Sequence, residues 1–411
     1  MHENLIKQLG VTKTALFHLM NAINSGKVVP EDILSKFDEA VHKSQLLESA
    51  VALPQAAVRA VDSKSAAQRR DEFIKMHAKQ PKEFDASVLG INGFPLPLKG
   101  YAEPNAFVPR EGSDYVLRPD LLRVMIAWLL GGSMDSCLHF FGPTGSGKTS
   151  FARRVAELLN IPVLSYTCNQ DTDMDHLLGH YVVNESGGMV WKDGPVTLAV
   201  RAGWWVQLNE MDYASPAVLA GLNDIMEGRG FYLTATNEFI EFHPDARIMV
   251  TSNTSGMGDQ TGGSYVGTQQ QNLAFLDRLE SIPVDYMDSA AEVSLVQMDL
   301  GPLANILPEL APRLVKVATQ IRAQYMGENA ASSALEVTMS TRALRRWARK
   351  ILLFKNIASK GEDPIQFALG LALTNKCTRP TQHAIANLVT AEVGAWASLT
   401  KPSVAAAATG T

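Results

Sequence analysis

Cysteine is scarce in this chain. Cys137, Cys168 and Cys377 are its three cysteines, set far apart and without metal-ligand spacing, which points to a reducing, cytoplasmic setting. Neither sign of charge dominates. Against 42 acidic residues stand 37 Lys and Arg, a net charge of −5, so no basic excess exists to coat a nucleic acid. Long apolar runs are missing too. The longest, "LLRVMIAWLLGG", is too short to span a bilayer and contains Arg123, so no membrane insertion is expected. The start "MHENLIKQLG" has no basic segment followed by an apolar one, and hence no signal-peptide pattern. No internal repeat is evident. What remains, 46% hydrophobic and 19% charged over 411 residues, fits a globular protein of two or three domains.

Residues 1–80 read as an N-terminal helical region, because "NLIKQLGVTKTALFHLMNAI" and "EDILSKFDEAVHKSQLLESAV" space apolar residues by three and four. "LGVTKTALFHLM" faintly resembles a helix-turn-helix, though the pattern is weak and an ordinary small helical domain is the favoured reading. Residues 81–119 hold Pro81, Pro95, Pro97, Pro104, Pro109 and Pro119, and so are expected to form an extended, ordered linker. From 120 to 290, strand candidates "CLHFFG", "PVLSYT", "WWVQLN", "RIMVTSN" and a weaker "ESIPVDY" alternate with helices such as 148–159 and 215–227. Alternation of this kind, with nearly continuous apolar strands, predicts an α/β core: a parallel sheet flanked by helices. Residues 291–400 read as an all-α lid, and the tail 401–411 as disordered.

"HFFGPTGSGKTS" carries the chemistry. Gly142, Pro143, Thr144, Gly145, Ser146, Gly147, Lys148 and Thr149, followed by Ser150, fit the phosphate-loop pattern between a strand and a helix. Glycines let the backbone turn its N–H groups inward, the helix N-terminus favours phosphate, Lys148 adds charge beside the β–γ bridge, and the Thr149 hydroxyl can ligate Mg²⁺. At the end of "WWVQLN" an acidic pair is expected, yet the residues are Asn209 and Glu210. The Asn209 amide oxygen can accept from a metal-bound water but brings no charge, so weaker Mg²⁺ binding is expected. Asp212 compensates only if the local backbone allows it. Glu210 and Asp212 could instead cap the helix that follows, although Ser215 and Pro216 already supply that start. Asn253, ending "RIMVTSN", either orients a water near the γ-phosphate or merely begins a turn. Arg278, near the end of "QQQNLAFLDRLES", becomes functional only if it reaches a neighbouring subunit.

Taken together, these motifs resemble the AAA+ ATPases of the MoxR-type branch, in particular the CobS-type ATPase subunits of aerobic cobaltochelatases. The likeness covers roughly residues 88–390 and rests on "GPTGSGKT", "LNEMD", "SNTSGMGDQTGGSYVGTQQQNLAFLDR", "MSTRALRRWA" and "LTNKC". It implies a P-loop AAA+ core with an all-α lid, with ATP and Mg²⁺ bound at Lys148 and Thr149. It implies that Glu210 acts on the attacking water, Asn253 is the first sensor, Arg278 an arginine finger for the adjacent subunit, and Arg342 the second sensor. Arg345 and Arg346 would lie on another part of that helix. Where the family has its first acid this chain has Asn209, which puts the hydrolysis rate in doubt. The resemblance further implies a homo-oligomeric ring, usually hexameric, a protein substrate at a central pore, and a partner with a von Willebrand A-type domain. "HYVVNESGGMVWKDGPV" reads as a hairpin around Gly187-Gly188, where Tyr181 and Trp191 either touch that substrate or, for Trp191, pack on their own domain. "FYLTATNEFIEF" reads as a second hairpin and resembles the branch's helix-2 insert. An ATP-gated scaffold of slow turnover and a nucleic-acid-stimulated motor are the competing functions.

Overall fold

The computed structural model describes residues 66–400, apart from 113–114, 132–136, 185–186, 260–264 and 326–334. The two N-terminal helical stretches and the tail expected to be disordered lie outside the described residues. The chain divides at Ser65, and everything below concerns the unit Ala66–Thr411.

Helix α1 (Ala66–His77) leads into β1 (Pro81–Phe84), a 3₁₀ turn and β2 (Leu98–Tyr101). The proline-rich stretch is therefore more than extended chain, since β1 and β2 pair antiparallel. Its prolines permit this: Pro81 opens β1, and Pro95 and Pro97 precede β2, positions where no ladder N–H is needed. Helix α2 (Pro119–Leu130) starts on a proline and ends where the Gly131 N–H bonds Ala127 O.

The core elements follow in alternation: β3 (Cys137–Phe141), α3 (Lys148–Leu158), β4 (Val163–Thr167), α4 (Met174–Leu178), β5 (Gly179–Val183), β6 (Met189–Asp193), α5 (Pro195–Ala202) and β7 (Trp205–Asn209). Then come α6 (Pro216–Ala220), α7 (Asn223–Met226), β8 (Phe231–Leu233), β9 (Glu238–Ile240), β10 (Arg247–Ser252), α8 (Leu273–Leu276) and β11 (Glu280–Pro283). Five strands form one parallel sheet in the order β11-β3-β10-β7-β4. Central β10 is buried along its whole length, as a strand covered on both faces must be. One face packs Phe140, Phe151, Trp128 and Trp205, the other Val206, Leu208, Leu222 and Phe275. Because the strands are parallel, the loops after β3, β7 and β10 open at one end of the sheet, where open α/β sheets bind ligands.

The single helix expected over 215–227 is two short helices, interrupted at Gly221. A Cβ on Gly221 would lie 3.0 Å from the Met174 sulfur, so α4 packs against the break. Both hairpins form, but their placement corrects one expectation. The hairpin β5–β6 is the one that interrupts the helical crossover between β4 and β7. The hairpin β8–β9 stands after α7 and before β10, so it is not an insert in that crossover helix.

From residue 289 onward the regular elements among the described residues are helices: α9 (Ser289–Leu300), α10 (Pro302–Ile306), α11 (Leu310–Tyr325), α12 (Thr341–Phe354), α13 (Pro364–Ala372), α14 (Arg379–Glu392) and α15 (Trp396–Leu399). They share a separate core around Leu314, Ile321, Leu344, Trp347 and Leu369. Trp347 is wholly buried, and its indole N–H donates to Ile365 O at 3.0 Å. Among the described residues no helix is long and apolar enough to cross a membrane.

Candidate nucleotide site

The loop after β3 wraps the N-terminus of α3. Gly145 (φ 71°) and Gly147 (φ 99°) occupy the left-handed region, which lets successive N–H groups turn toward one centre. Gly145 serves packing as well, because a Cβ there would lie 2.6 Å from Ser340 Cβ at the start of α12. The loop backbone thus lies directly against the Ser340 side chain of the helical region.

Lys148 is nearly buried, and its ammonium donates to Gly142 O (2.7 Å), Pro143 O (2.9 Å) and Asn253 Oδ1 (3.2 Å). Burial pulls its pKa down to about 8, helped by Arg342 and opposed by Glu210 and Asp212. Asn253 in turn donates from Nδ2 to Glu210 Oε2 at 2.5 Å. The ends of β3, β7 and β10 are thereby joined through Lys148, Asn253 and Glu210. Glu210 has φ 54°, a strained backbone for a non-glycine residue and one found at sites that must aim a side chain. Burial, then Asp212, raises its carboxyl pKa, while Lys148, Arg342 and Asn253 act in the opposite direction.

Asn209 Oδ1 accepts from the Thr149 hydroxyl at 3.2 Å. Asp212 does not join them. Its Oδ2 accepts from Asn253 N (3.2 Å), Thr254 N (3.1 Å) and Thr254 Oγ1 (3.0 Å), so it latches the end of β10 rather than compensating for Asn209. Nor does it cap the next helix, whose N-cap residue is Ser215 with Pro216 following.

A cavity of 200 Å³ lies between the phosphate loop and the helical region. Gly145–Gly147, Ser150 and Arg342 line it, together with Tyr115, Arg118 and Met287. Arg345, expected elsewhere on α12, also lines it, because a residue three further along a helix shares the same face as Arg342. Arg345 is held by Asp299 at 2.7 Å. Arg278 stands apart from this cluster, its Nε paired with Glu227 at 2.6 Å. Trp191 is partly buried and donates to Asp193 at 2.7 Å, packing on its own domain. Tyr181 is half-exposed and donates to Ala235 O at 2.7 Å, tying the two hairpins together.

The donor set suits a nucleotide and a hard cation. Ser146 Oγ is buried with no hydrogen-bond partner among the described residues, a donor that a phosphate oxygen would satisfy. Thr149 and Asn209 offer neutral oxygens, enough for Mg²⁺, which keeps most of its waters and leans on substrate phosphates. No cluster of three or more His, Cys, Asp or Glu able to hold a metal occurs among the described residues.

Tyr115, Arg118, Met287, Tyr265 and Tyr286 were missed from the sequence. Tyr115 donates to Gly147 O at 3.5 Å from a stretch expected only to link. Tyr286 donates to Thr144 O at 3.2 Å from the connection into the helices. No local pattern marks either one.

A parallel sheet in this order, with a phosphate-loop sequence after one strand and polar residues ending two neighbours, defines a P-loop α/β core with a C-terminal helical region. Residues 138–267 match the AAA domain of the dynein-related subfamily, and residues 302–392 match the CbbQ/NirQ/NorQ C-terminal domain. The chain belongs to the AAA+ ATPases, in their MoxR-type branch. It is 28% identical over 288 residues to the aerobic cobaltochelatase subunit CobS of a Sinorhizobium species, covering 69% of this chain and 82% of that one. It is 30% identical over 225 residues to the gas vesicle ATPase GvpN of Ancylobacter aquaticus, covering 49% and 60%. Against the midasin of Dictyostelium discoideum the identity is 27% over 210 residues, 51% of this chain but only 3% of that protein's length.

Proposed function

We propose that the chain binds ATP with Mg²⁺ and hydrolyses it as one subunit of a homo-oligomeric ring, hexameric by family habit, that remodels or assembles a partner protein complex. The observation that carries this reading is the hydrogen-bonded run Lys148–Asn253–Glu210 across three strand ends at the mouth of the phosphate loop. In it, Gly142 to Ser150 cradle the phosphates, and Lys148 neutralises charge at the β–γ bridge. Asn253 holds the Glu210 carboxylate, which orients the attacking water and accepts its proton. Mg²⁺, held by Thr149 and through Asn209, would offset phosphate charge. Arg342 reaches the nucleotide from α12, and Arg278 serves the neighbouring subunit.

Two further features support a protein partner. Val183, Met189, Tyr232 and Phe239 are exposed on the two hairpins, an apolar surface of the kind proteins use to grip other proteins. Relatives named for cobalt chelation and for gas vesicles share this engine, which favours a general assembly role over cobalt insertion. A partner with a von Willebrand A-type domain and a substrate at the ring's pore belong to the same reading. Buried, unpaired Cys137, Cys168 and Cys377 are in keeping with a cytoplasmic setting.

The test is steady-state ATP hydrolysis by the natural chain, Glu210→Gln and Asn209→Asp. Turnover by the natural chain that is lost in Glu210→Gln supports the motor. A second reading rests on Asn209 alone: with no charge beside Thr149, the ring would be an ATP-gated scaffold of slow turnover. Turnover seen only with Asn209→Asp would select it.

A further inference from the structure

The glycine- and glutamine-rich block after β10 returns to the phosphate loop through one side chain. The Tyr265 hydroxyl accepts from the Thr144 N–H at 3.3 Å. Its backbone is fixed from two directions: its N–H donates to Asp259 Oδ2 (3.1 Å), and its carbonyl accepts from the Thr268 hydroxyl (2.9 Å). The turn that follows lies tightly on the core. A Cβ on Gly267 would stand 3.2 Å from Gln170 Nε2 and 3.3 Å from Tyr213, and the Gln269 N–H bonds Asp212 O at 2.6 Å. Asp212 is the residue that latches Asn253 and Thr254. Tyr265 therefore stands on the same support as the residues expected to read the terminal phosphate.

Direction decides which phosphate it meets. The cavity between the phosphate loop and α12 is lined by Gly145–Gly147, Ser150 and Arg342 and does not include Thr144. Thr144 lies at the other end, next to the Gly142 and Pro143 carbonyls that hold the Lys148 ammonium. Burial pushes the phenol pKa up to about 12, so it keeps its proton at neutral pH. The oxygen accepts from Thr144, and its own proton is left to donate.

We propose that the Tyr265 hydroxyl is a further binding residue of the nucleotide site, donating to the terminal phosphate so that the site favours nucleoside triphosphate over diphosphate. This rests on the ATP-site reading above and deepens it. Equilibrium binding of ADP and of a non-hydrolysable ATP analogue to the full chain tests it, with Tyr265→Phe beside Tyr286→Phe and Lys148→Ala. A hydrogen bond to a charged group predicts that Tyr265→Phe weakens the analogue about tenfold and leaves ADP within about twofold. Tyr286→Phe removes the bond to the other backbone group of the same residue, the Thr144 carbonyl, and should leave the ratio of the two affinities unchanged. Equal weakening of both nucleotides by Tyr265→Phe, no weakening of the analogue, or the same ratio change from Tyr286→Phe would each overturn the proposal. If the natural chain binds neither nucleotide, or Lys148→Ala binds both as well as it does, the ATP-site reading itself fails and takes this one with it.

Discussion

Raising the pH from 7.5 to 9 should weaken nucleotide binding about eightfold through one side chain, because the Lys148 pKa lies near 8. Burial is the largest cause of that low value, so the ammonium is held at a cost that a phosphate group would relieve. The sign follows directly. In the nucleotide complex the phosphate charges raise the pKa again. Well below pH 8 the side chain is charged both free and bound, and affinity does not depend on pH through it. Above pH 8 the free site is mostly neutral, and binding must take up a proton. The charged fraction of the free site falls from about 0.76 at pH 7.5 to about 0.09 at pH 9, a loss of ~1.3 kcal/mol in binding. Titration calorimetry at pH 8.5 in two buffers of different ionisation heat measures the proton count, with an expected uptake near ~0.8 per nucleotide bound. Flat affinity from pH 7.5 to 9, with no proton uptake at 8.5, would refute the placement of Lys148 in a desolvated site.

Other perturbations separate the parts of the molecule. Arg278→Ala should preserve nucleotide binding and abolish hydrolysis. Its partner Glu227 is surface-accessible, so unfolding should shift by less than about 1 kcal/mol; a mixed-ring experiment in which Arg278 acts only on its own subunit's ATP would contradict the finger role. Asn209→Asp should tighten Mg²⁺-dependent nucleotide binding by adding a carboxylate beside Thr149, read as a lower Mg²⁺ midpoint; an unchanged midpoint would mean that Asn209 lies off the cation's path. His139 is buried between Ser281 (2.9 Å) and Ser252 (2.6 Å), and burial, then Lys148, lowers its pKa to about 3. The unfolded chain therefore takes up this proton first, near pH 6.5, and stability is lost as pH falls from there toward 3. Between pH 7 and 5 the loss through His139 should be about 2 kcal/mol, so His139→Gln should flatten the pH dependence of the urea midpoint. Equal slopes would show that the imidazole is not held neutral.

The parallel sheet was legible because its strands are apolar runs buried on both faces, with a helical pattern between each pair. The two hairpins were legible from alternation around Gly187-Gly188 and Thr236-Asn237. The insertion point was not. Each hairpin is a local pattern, whereas its place relative to the crossover helix depends on how many strands have already entered the sheet. The break in helix 215–227 escaped for a related reason. Gly221 inside a helical pattern is usually tolerated, and the Met174 side chain packed against it comes from a distant part of the chain. Among the prolines, density alone suggested a linker, yet Pro81, Pro95 and Pro97 stand where a short antiparallel pair does not need their N–H.

The same distinction between local and distant determinants runs through the site. Phosphate-loop residues are consecutive, so the chain order itself gives their geometry. Glu210 and Asn253 follow from the rule that strand ends carry the chemistry, even though Asn209 breaks the expected acidic pair. Thr144 is different. Its N–H is met by Tyr265 and its carbonyl by Tyr286, 121 and 142 residues away along the chain. Nothing in either tyrosine's neighbourhood announces that contact, because it is made by the return of the chain after β10 and by its exit into the helices. The two peptide units flanking Thr144 are thus held from different sides, one by the return of the chain after β10 and the other by the entry to the helical region. A displacement of Thr144 would strain both bonds, so the loop is tied at one residue to two distant parts of the chain.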